Sequence, residues 1–218
     1  MKVGIFGGTF NPIHLAHLRV AEEVRESCCL DRVLFVPAAD PPHKDVAEQV
    51  SFAQRLEMVE AAIADNPQFV VSDLEGRRSG KSYSVHTLEI LSREHPEDEY
   101  WFIMGLDSFR DLTSWHEWRR LFELAHLVVM RRPGVYSGLP QELLPVAIRG
   151  EFCYDCEPGS LRHRSGKTVL FLTETDLDIS STRLRKMVAA GQSIRYLVTP
   201  PVGAYIEQQA LYQGQENS

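Results

Sequence analysis

KVGIFGGTFNPIHLAH occupies residues 2–17 and joins a short apolar run to a glycine pair and two histidines. This order predicts a buried strand, a tight turn and the first turn of a helix. Unpaired amide groups and the positive end of the helix dipole make a helix N-terminus favourable for anions. Gly7 and Gly8 let the backbone approach a ligand closely, and on a helix His14 and His17 share one face. The stretch therefore predicts a cradle for nucleotide phosphates.

Length and charge restrict the classes of partner. The chain has 218 residues, 44% of them hydrophobic and 24% charged, which is typical of a globular α/β domain and predicts a single domain over residues 1–218. Its formal net charge of −7 gives it no global attraction for nucleic acid or an anionic membrane. We expect neither partner, so phosphate binding must come from local groups. The oligomeric state stays open, a homo-oligomer included.

Targeting signals and cysteines suggest a cytoplasmic protein. The first apolar run stops after Phe6, too early for a signal peptide, and no later run is long enough to cross a bilayer. Reduced thiols are then the simplest interpretation. Cys153 and Cys156 form a CxxC pair with His163 nearby, a pattern that zinc sites share. Because a second pair at finger spacing is missing, loop cysteines are the favoured interpretation.

Strands and helices alternate along the chain, which predicts a Rossmann-like, doubly wound, mostly parallel sheet with helices on both faces. Residues 135–167 interrupt the pattern and predict an insertion, either weakly ordered or a hairpin. A helical part at about 180–214 is expected to pack on the domain. The predicted strands begin near residues 3, 32, 69, 100, 126 and 168. The predicted helices cover about 14–27, the segment after Ser51 and Gln54 (a capping-box pattern), 84–94 with Ser84 as cap, 115–124, the segment from Ser180 to Gly191, and about 200–212.

Four loops at the carboxyl ends of strands carry the candidate ligand-binding residues, and ligands of such sheets bind at that edge. They are GGTF after the first strand, DPPHK after the second, GLD after the fourth and ISST after the sixth. Arg183 and Arg185 follow ISST in the first turns of a helix, where the dipole disfavours cations. A bound polyphosphate would remove that conflict.

Each of these patterns also has a structural interpretation. Two histidines three apart on a helix are usually structural, and a metal site there lacks a convincing third ligand. In SWHEWRRL the helical spacing predicts Trp118 in the core, while for Trp115 core packing and ligand stacking are evenly balanced. Asp111 and Glu117 are predicted as solvated helix positions.

Taken together, the motifs are recognisable. GGTFNPIHLAH resembles the GxFxPxHxxH signature of the nucleotidyltransferase superfamily, the counterpart of the HIGH motif of class I aminoacyl-tRNA synthetases, and ISSTRLR is similar to its ISSTxxR signature. PPHK, KSYSVHTL, GLDSFRDLTSWHEW and HLVVMRRPG extend the resemblance to the bacterial nicotinate mononucleotide adenylyltransferase family, from Lys2 to about Tyr212. Ala16 departs from it, since many relatives have glycine between the histidines. We expect this small residue to be tolerated.

The resemblance implies transfer of the adenylyl group of ATP to nicotinate mononucleotide, forming deamido-NAD and pyrophosphate in NAD biosynthesis. It implies catalytic roles for His14, His17 and Arg183, with Mg²⁺ bound through the ATP phosphates and no metal site made by the protein. The acceptor nucleotide is expected at Tyr83, Ser84 and Trp115. The implied ATP-binding residues are Gly7, Gly8, Thr9, Phe10, His43, Lys44, Gly105, Asp107, Ile179, Ser180, Ser181 and Thr182.

Other functions remain open at this stage. The nearest is another small-molecule nucleotidyltransferase, acting on nicotinamide mononucleotide or pantetheine phosphate. A nucleotide-binding sensor without catalysis is a second, against which the intact His14, His17 and Arg183 argue. A fragment of a class I synthetase comes last, because the sequence has neither a tRNA-binding domain nor a basic surface signal.

Overall fold

A computed structural model describes residues 1–41, 50–131, 139–154, 159–173, 175 and 177–213. The strands within these ranges form one sheet of eight, in the order β3-β2-β1-β4-β5-β8-β7-β6. Their bounds are Lys2–Gly8 (β1), Arg32–Pro37 (β2), Phe69–Val71 (β3), Glu99–Gly105 (β4), His126–Arg131 (β5), Phe152–Tyr154 (β6), Ser160–His163 (β7) and Thr168–Thr173 (β8). All six strands expected from the sequence are present, and β6 and β7 are additional.

Eight α-helices lie in the same described ranges. Their bounds are Leu15–Ser27 (α1), Phe52–Ile63 (α2), Ser84–Glu94 (α3), Leu106–Arg110 (α4), Leu121–Leu124 (α5), Pro140–Leu143 (α6), Ser181–Ala189 (α7) and Pro200–Gln208 (α8). Short 3₁₀ turns occur at Leu112–Ser114, Trp118–Arg120 and Val146–Glu151. No helix among the described residues combines the length and the apolar character that a membrane crossing needs.

The centre of the sheet is parallel, as expected for a Rossmann-like fold. β1 pairs with β4, β4 with β5 and β5 with β8, all in parallel register. Gly105 at the end of β4 lies opposite Met130 in β5, so the carboxyl ends of these strands share one edge. Five consecutive residues of β5, from His126 to Met130, are buried, as in a strand covered on both faces.

The predicted insertion contains a hairpin. β6 and β7 pair antiparallel, and β7 continues antiparallel onto β8, which confirms the hairpin alternative. Cys153 is an exposed residue of β6, so the prediction of a loop was wrong for this cysteine, and Cys156 lies outside the described residues. His163 is buried against Phe122 and Phe152, where its ring contributes to packing.

The prediction of a helix at 115–124 was wrong in part. Only Trp118–Arg120 forms a 3₁₀ turn, followed by the short α5. Glu117 adopts a left-handed backbone with φ +46, which prevents a continuous helix from forming across this point. Trp118 is half-buried rather than in the core, and the Arg119 guanidinium lies 4.5 Å above its ring. Asp111 and Glu117 are exposed, as predicted, but neither lies within a helix, because Asp111 follows α4 and Glu117 precedes the 3₁₀ turn.

The helix caps predicted from the sequence are present with one exception. Apart from the caps, α8 ends at Gln208, whereas its end was predicted at about residue 212. Ser51 and Gln54 form the predicted capping box of α2, and Gly191 follows the end of α7 with φ +68. The exception is α3, which was expected to be capped by Ser84. Tyr83 is its N-cap residue, without a side-chain capping bond, and Ser84 is the first residue of the helix.

Internal contacts divide the chain into two compact units whose segments interleave. Unit 1 consists of Met1–Gly7, Val20–Val33 and Tyr83–Asp176, and unit 2 of Gly8–Arg19, Leu34–Ser82 and Leu177–Ser218. Unit 2 therefore carries the histidines and the ISST segment, whereas unit 1 carries Gly105, Asp107 and the residues expected at the acceptor nucleotide.

Candidate active site

The turn after β1 has a tightly specified backbone. Phe10 has φ +47, which is unusual for a residue other than glycine, and its side chain is buried. Its ring lies 5.8 Å from that of Phe35 and 5.2 Å from that of His17. A Cβ atom at Gly8 would come within 2.9 Å of the Phe10 ring, so glycine is required there for packing. The packing of the Phe10 ring thus fixes the backbone conformation of the turn.

His14 and His17 form a stacked pair, but not in the way that a shared helix face predicts. His14 precedes α1, and its carbonyl oxygen accepts from the amide of His17 at 3.0 Å. In return, the His14 amide donates to Nδ1 of His17 at 3.2 Å. These two hydrogen bonds close the first turn of α1 as a capping box does. The centroids of the two imidazole rings are 3.6 Å apart. Since Nδ1 of His17 accepts, the proton of the neutral ring lies on Nε2.

Burial controls the charge of His14. Its side chain is 4% exposed, and Nδ1 has no hydrogen-bond partner among the residues that the structure describes. Burial lowers the pKa of His14 from 6.5 to about 4, because the charged form loses its hydration. His14 is therefore neutral at pH 7 in the protein alone, with an unsatisfied buried nitrogen beside the turn.

This pKa predicts how stability varies with pH. In the range between pH 4 and 6.5 the unfolded chain binds the His14 proton more readily than the folded protein does. The His14 contribution is thus complete above pH 6.5 and is lost as the pH falls towards 4, by up to about 3 kcal/mol of unfolding free energy. The free energy of unfolding of His14→Gln, measured with urea, should fall less over this pH range than that of the unsubstituted protein. His95→Gln, at an exposed histidine, is the control; equal declines for His14→Gln and the unsubstituted protein would contradict the assignment.

Helix α7 begins against the same turn. Ser180 caps it by accepting from the amide of Arg183 at 3.3 Å, as predicted. Ser181, the first helical residue, donates from Oγ to the Pro12 carbonyl at 2.8 Å. Nη1 of Arg185 donates to the Asn11 carbonyl at 2.7 Å. The start of α7 is therefore bound to residues 11 and 12, in the turn that leads into α1. The positive dipole end of each helix favours an anion.

The two arginines of α7 have different surroundings. Arg185 is held by Asn11 and by the Thr182 hydroxyl, 3.3 Å from its Nη2. A polyphosphate is therefore not needed to explain Arg185, which corrects the expectation drawn from the dipole. The Arg183 side chain is 63% exposed, and its Nη1 lies at 3.5 Å from both oxygens that it approaches on Asp178. Its guanidinium is thus weakly held and accessible to a ligand.

Two residues of this site were missed by the sequence analysis. Arg55 on α2 donates from Nη1 to the Thr9 carbonyl at 2.8 Å. The Tyr212 hydroxyl donates to Oδ1 of Asn11 at 2.5 Å. Arg55 had a detectable signal, since it lies three residues after Phe52 and four before Val59, on the apolar face of the helix. Tyr212 had none, because nothing in its local pattern links it to residue 11.

Unit 1 holds the residues expected at the ribose and the acceptor. Gly105 ends β4 at the carboxyl edge of the sheet, and Asp107 follows it with its side chain exposed. Tyr83 stacks on His116 at 4.3 Å, and the half-buried Trp115 approaches Phe102 edge-on at 6.3 Å. The structure thereby places the start of α3, with Ser84, beside the segment that contains Trp115. Gly7 ends the part of β1 in unit 1; His43 and Lys44 lie outside the described residues.

Comparisons with known proteins identify the family of the chain. The Cytidylyltransferase-like family model matches residues 5–187. The chain is 61% identical to a probable nicotinate-nucleotide adenylyltransferase of Syntrophotalea carbinolica, over all of both chains. It is 52% identical to a protein of the same description from Geobacter metallireducens, over 97% of this chain and 98% of the relative. The chain belongs to the nicotinate-nucleotide adenylyltransferase family.

Solved structures share the fold of this adenylyltransferase family member. Plasmodium falciparum nicotinic acid mononucleotide adenylyltransferase complexed with NaAD matches with a TM-score of 0.73 and 19% identity, over 97% of each chain. A putative nicotinate-nucleotide adenylyltransferase from Vibrio parahaemolyticus matches with a TM-score of 0.65 and 20% identity, covering 97% of this chain and 95% of that one. At such identities the likeness supports the Rossmann-like fold.

Proposed function

We propose that the protein transfers the adenylyl group of ATP to nicotinate mononucleotide, releasing pyrophosphate and forming deamido-NAD. The observation that carries this proposal is the binding of the α7 N-terminus to the turn that leads into α1, together with the stacked pair of His14 and His17 at the start of α1. Aligned amide groups, an accessible arginine and two imidazoles suit a triphosphate. The family membership supports the same reaction.

The reaction requires the protein to position the two nucleotides and to stabilise the charge that develops on the leaving group. A phosphate oxygen of the mononucleotide forms a bond to the α-phosphorus of ATP, and the bond from that phosphorus to the bridging oxygen breaks. Pyrophosphate leaves with the electron pair. Because the attacking phosphate is already ionised at neutral pH, no general base is needed. Nε2–H of His17 and the Arg183 guanidinium are the proposed donors to the charge that develops on the leaving group.

His14 is proposed to respond to the bound nucleotide. A triphosphate beside its unsatisfied Nδ1 would favour the protonated ring and raise its pKa from about 4. The amides from Gly8 to Phe10 and the Thr9 hydroxyl are proposed to bind phosphate oxygens where the two nucleotides join. Ile179, Ser180, Ser181 and Thr182, together with Gly105 and Asp107 at the ribose, complete the proposed ATP-binding set.

The acceptor nucleotide is proposed to bind in unit 1. A half-buried aromatic such as Trp115 presents a flat surface to a pyridine ring. The amides near Ser84 and Trp115 are proposed donors to the nicotinate carboxylate, and Tyr83 borders them.

Magnesium is proposed to enter this site as a companion of ATP. Among the described residues, no three His, Cys, Asp or Glu side chains lie close enough together to hold a metal ion. We propose that Mg²⁺ is bound by the ATP phosphates, where it supplies charge neutralisation for the leaving pyrophosphate.

The acceptor assay tests the proposal directly. Purified protein, ATP and Mg²⁺ are incubated with nicotinate mononucleotide, nicotinamide mononucleotide or phosphopantetheine, and pyrophosphate release is followed. We expect kcat/KM for the nicotinate compound to exceed that for the amide about tenfold, because proposed donor groups meet a carboxylate in one case and a neutral amide in the other. Equal rates, or release with phosphopantetheine alone, would contradict the acceptor assignment. ATP binding without release from any acceptor would instead indicate a sensor.

A further inference from the structure

Arg55 is a buried cation whose position the proposed chemistry does not use. Its side chain is 1% exposed, and removing a charge from water costs several kcal/mol unless it is paired. Burial accordingly lowers the pKa of Arg55, while the nearby Glu75 and Tyr212 act in the opposite direction. Glu75 is itself 7% exposed. A buried ion at this cost calls for an explanation beyond packing.

The hydrogen bond that Arg55 donates points to the peptide group between Thr9 and Phe10. Its Nη1 donates to the carbonyl oxygen of Thr9 at 2.8 Å. In a planar trans peptide, that carbonyl and the amide of Phe10 point in opposite directions. Arg55 draws the Thr9 oxygen towards α2, so the Phe10 N–H is directed away from α2.

The backbone at Phe10 needs such an anchor. A left-handed conformation at a residue other than glycine costs on the order of 1–3 kcal/mol and persists only where the surroundings impose it. Phe10 has φ +47, so rotation of the Thr9–Phe10 peptide would relieve strain. That rotation would present a carbonyl oxygen where the proposed site needs an amide donor. The Arg55 bond opposes it.

We propose that Arg55 is a positioning residue that holds the Thr9–Phe10 peptide with its N–H available to a phosphate of ATP. This inference rests on the proposed function, since it assigns a cause to the geometry of the same phosphate turn. Arg55 does not touch the nucleotide; it acts through one peptide group.

Substitution of Arg55 tests this role. We expect Arg55→Met to weaken MgATP binding, measured by calorimetry, about tenfold, as for the loss of one hydrogen bond to a charged group. KM for the mononucleotide should stay within about twofold of the unsubstituted value, and Arg55→Lys should recover part of the ATP affinity because it keeps the charge and a donor. Met58→Ala, a buried residue of the same helix, is the matched control, destabilising the fold without touching Thr9. Unchanged MgATP affinity in Arg55→Met, or an equal loss in Met58→Ala, would overturn the proposal.

A second measurement needs no variant at position 55. With ¹⁵N-phenylalanine labelling, the amide signal of Phe10, assigned through Phe10→Leu, should move downfield when MgATP is added. An unmoved Phe10 signal at saturating MgATP would overturn the proposal even if Arg55→Met fails to fold. Because calorimetry and this signal report binding alone, they remain decisive for Arg55 if the acceptor assay finds no turnover and the proposed function fails.

Discussion

His17→Ala is expected to lower kcat by about 10²- to 10³-fold, the cost that follows removal of one donor to developing charge. The ring of His17 accepts from the His14 amide through Nδ1, so in the neutral ring Nε2 carries the proton, which we propose is donated to the leaving pyrophosphate. The alanine side chain offers neither group. Steady-state pyrophosphate release, with circular dichroism to establish that the fold persists, measures the effect.

His17→Asn separates catalysis from helix capping. An asparagine oxygen can accept from the His14 amide as Nδ1 does, which keeps the first turn of α1 closed. It does not extend to the position of Nε2. We therefore expect His17→Asn to unfold at nearly the same temperature as the unsubstituted protein while losing as much turnover as His17→Ala. Near-normal turnover in either variant would remove His17 from the catalytic set.

Arg183→Met is expected to reduce kcat/KM for ATP by about 10²-fold. A cation in the first turn of α7 opposes the helix dipole. Within the described part of the chain, the Arg183 side chain makes long contacts, at 3.5 Å, with Asp178. Its weakly held guanidinium can therefore move to a polyphosphate at small cost and donate two parallel hydrogen bonds. Because the side chain is exposed, its loss should leave the unfolding temperature within a few degrees of the original.

Arg183→Lys distinguishes charge from geometry. Lysine supplies a point charge but lacks the planar fork, so we expect activity between those of the methionine variant and the unsubstituted protein. Arg164→Met, at an exposed arginine of unit 1 paired with Glu151, is the control and should leave kcat/KM unchanged. A methionine variant at position 183 with ATP kinetics within about threefold of normal would show that the ATP phosphates are bound without this residue.

The features that could be predicted from the sequence are those that depend on neighbouring residues or on a repeating pattern. Alternation of apolar and polar segments located the six principal strands, and Ser51, Gln54, Ser180 and Gly191 marked helix ends, because capping depends on neighbours within one turn. Where local signals were weak, the predicted elements differ from those in the structure. The bounds of β6 and β7 were not predicted, because a hairpin was one of two alternatives for residues 135–167. A left-handed Glu117 interrupts a helix that side-chain spacing alone predicted.

The histidine pair shows a further limit. Spacing placed both imidazoles on a helix face, yet His14 lies before the helix and is held by exchange of backbone and side-chain hydrogen bonds with His17. Its burial, and with it the lowered pKa, depends on residues distant in sequence. The bonds of Arg55 to Thr9 and of Tyr212 to Asn11 likewise join positions far apart, and no local pattern encodes such partners.

The bond between Ser181 and Pro12 spans 169 positions. During translation the first turn is made early, but its partner leaves the ribosome only after most of the protein has been synthesised. A nascent chain ending before residue 181 thus carries both imidazoles and lacks the second helix end that would complete an anion site beside them. The proposed nucleotide site is therefore completed late in synthesis, and contacts of such long range are slow to form.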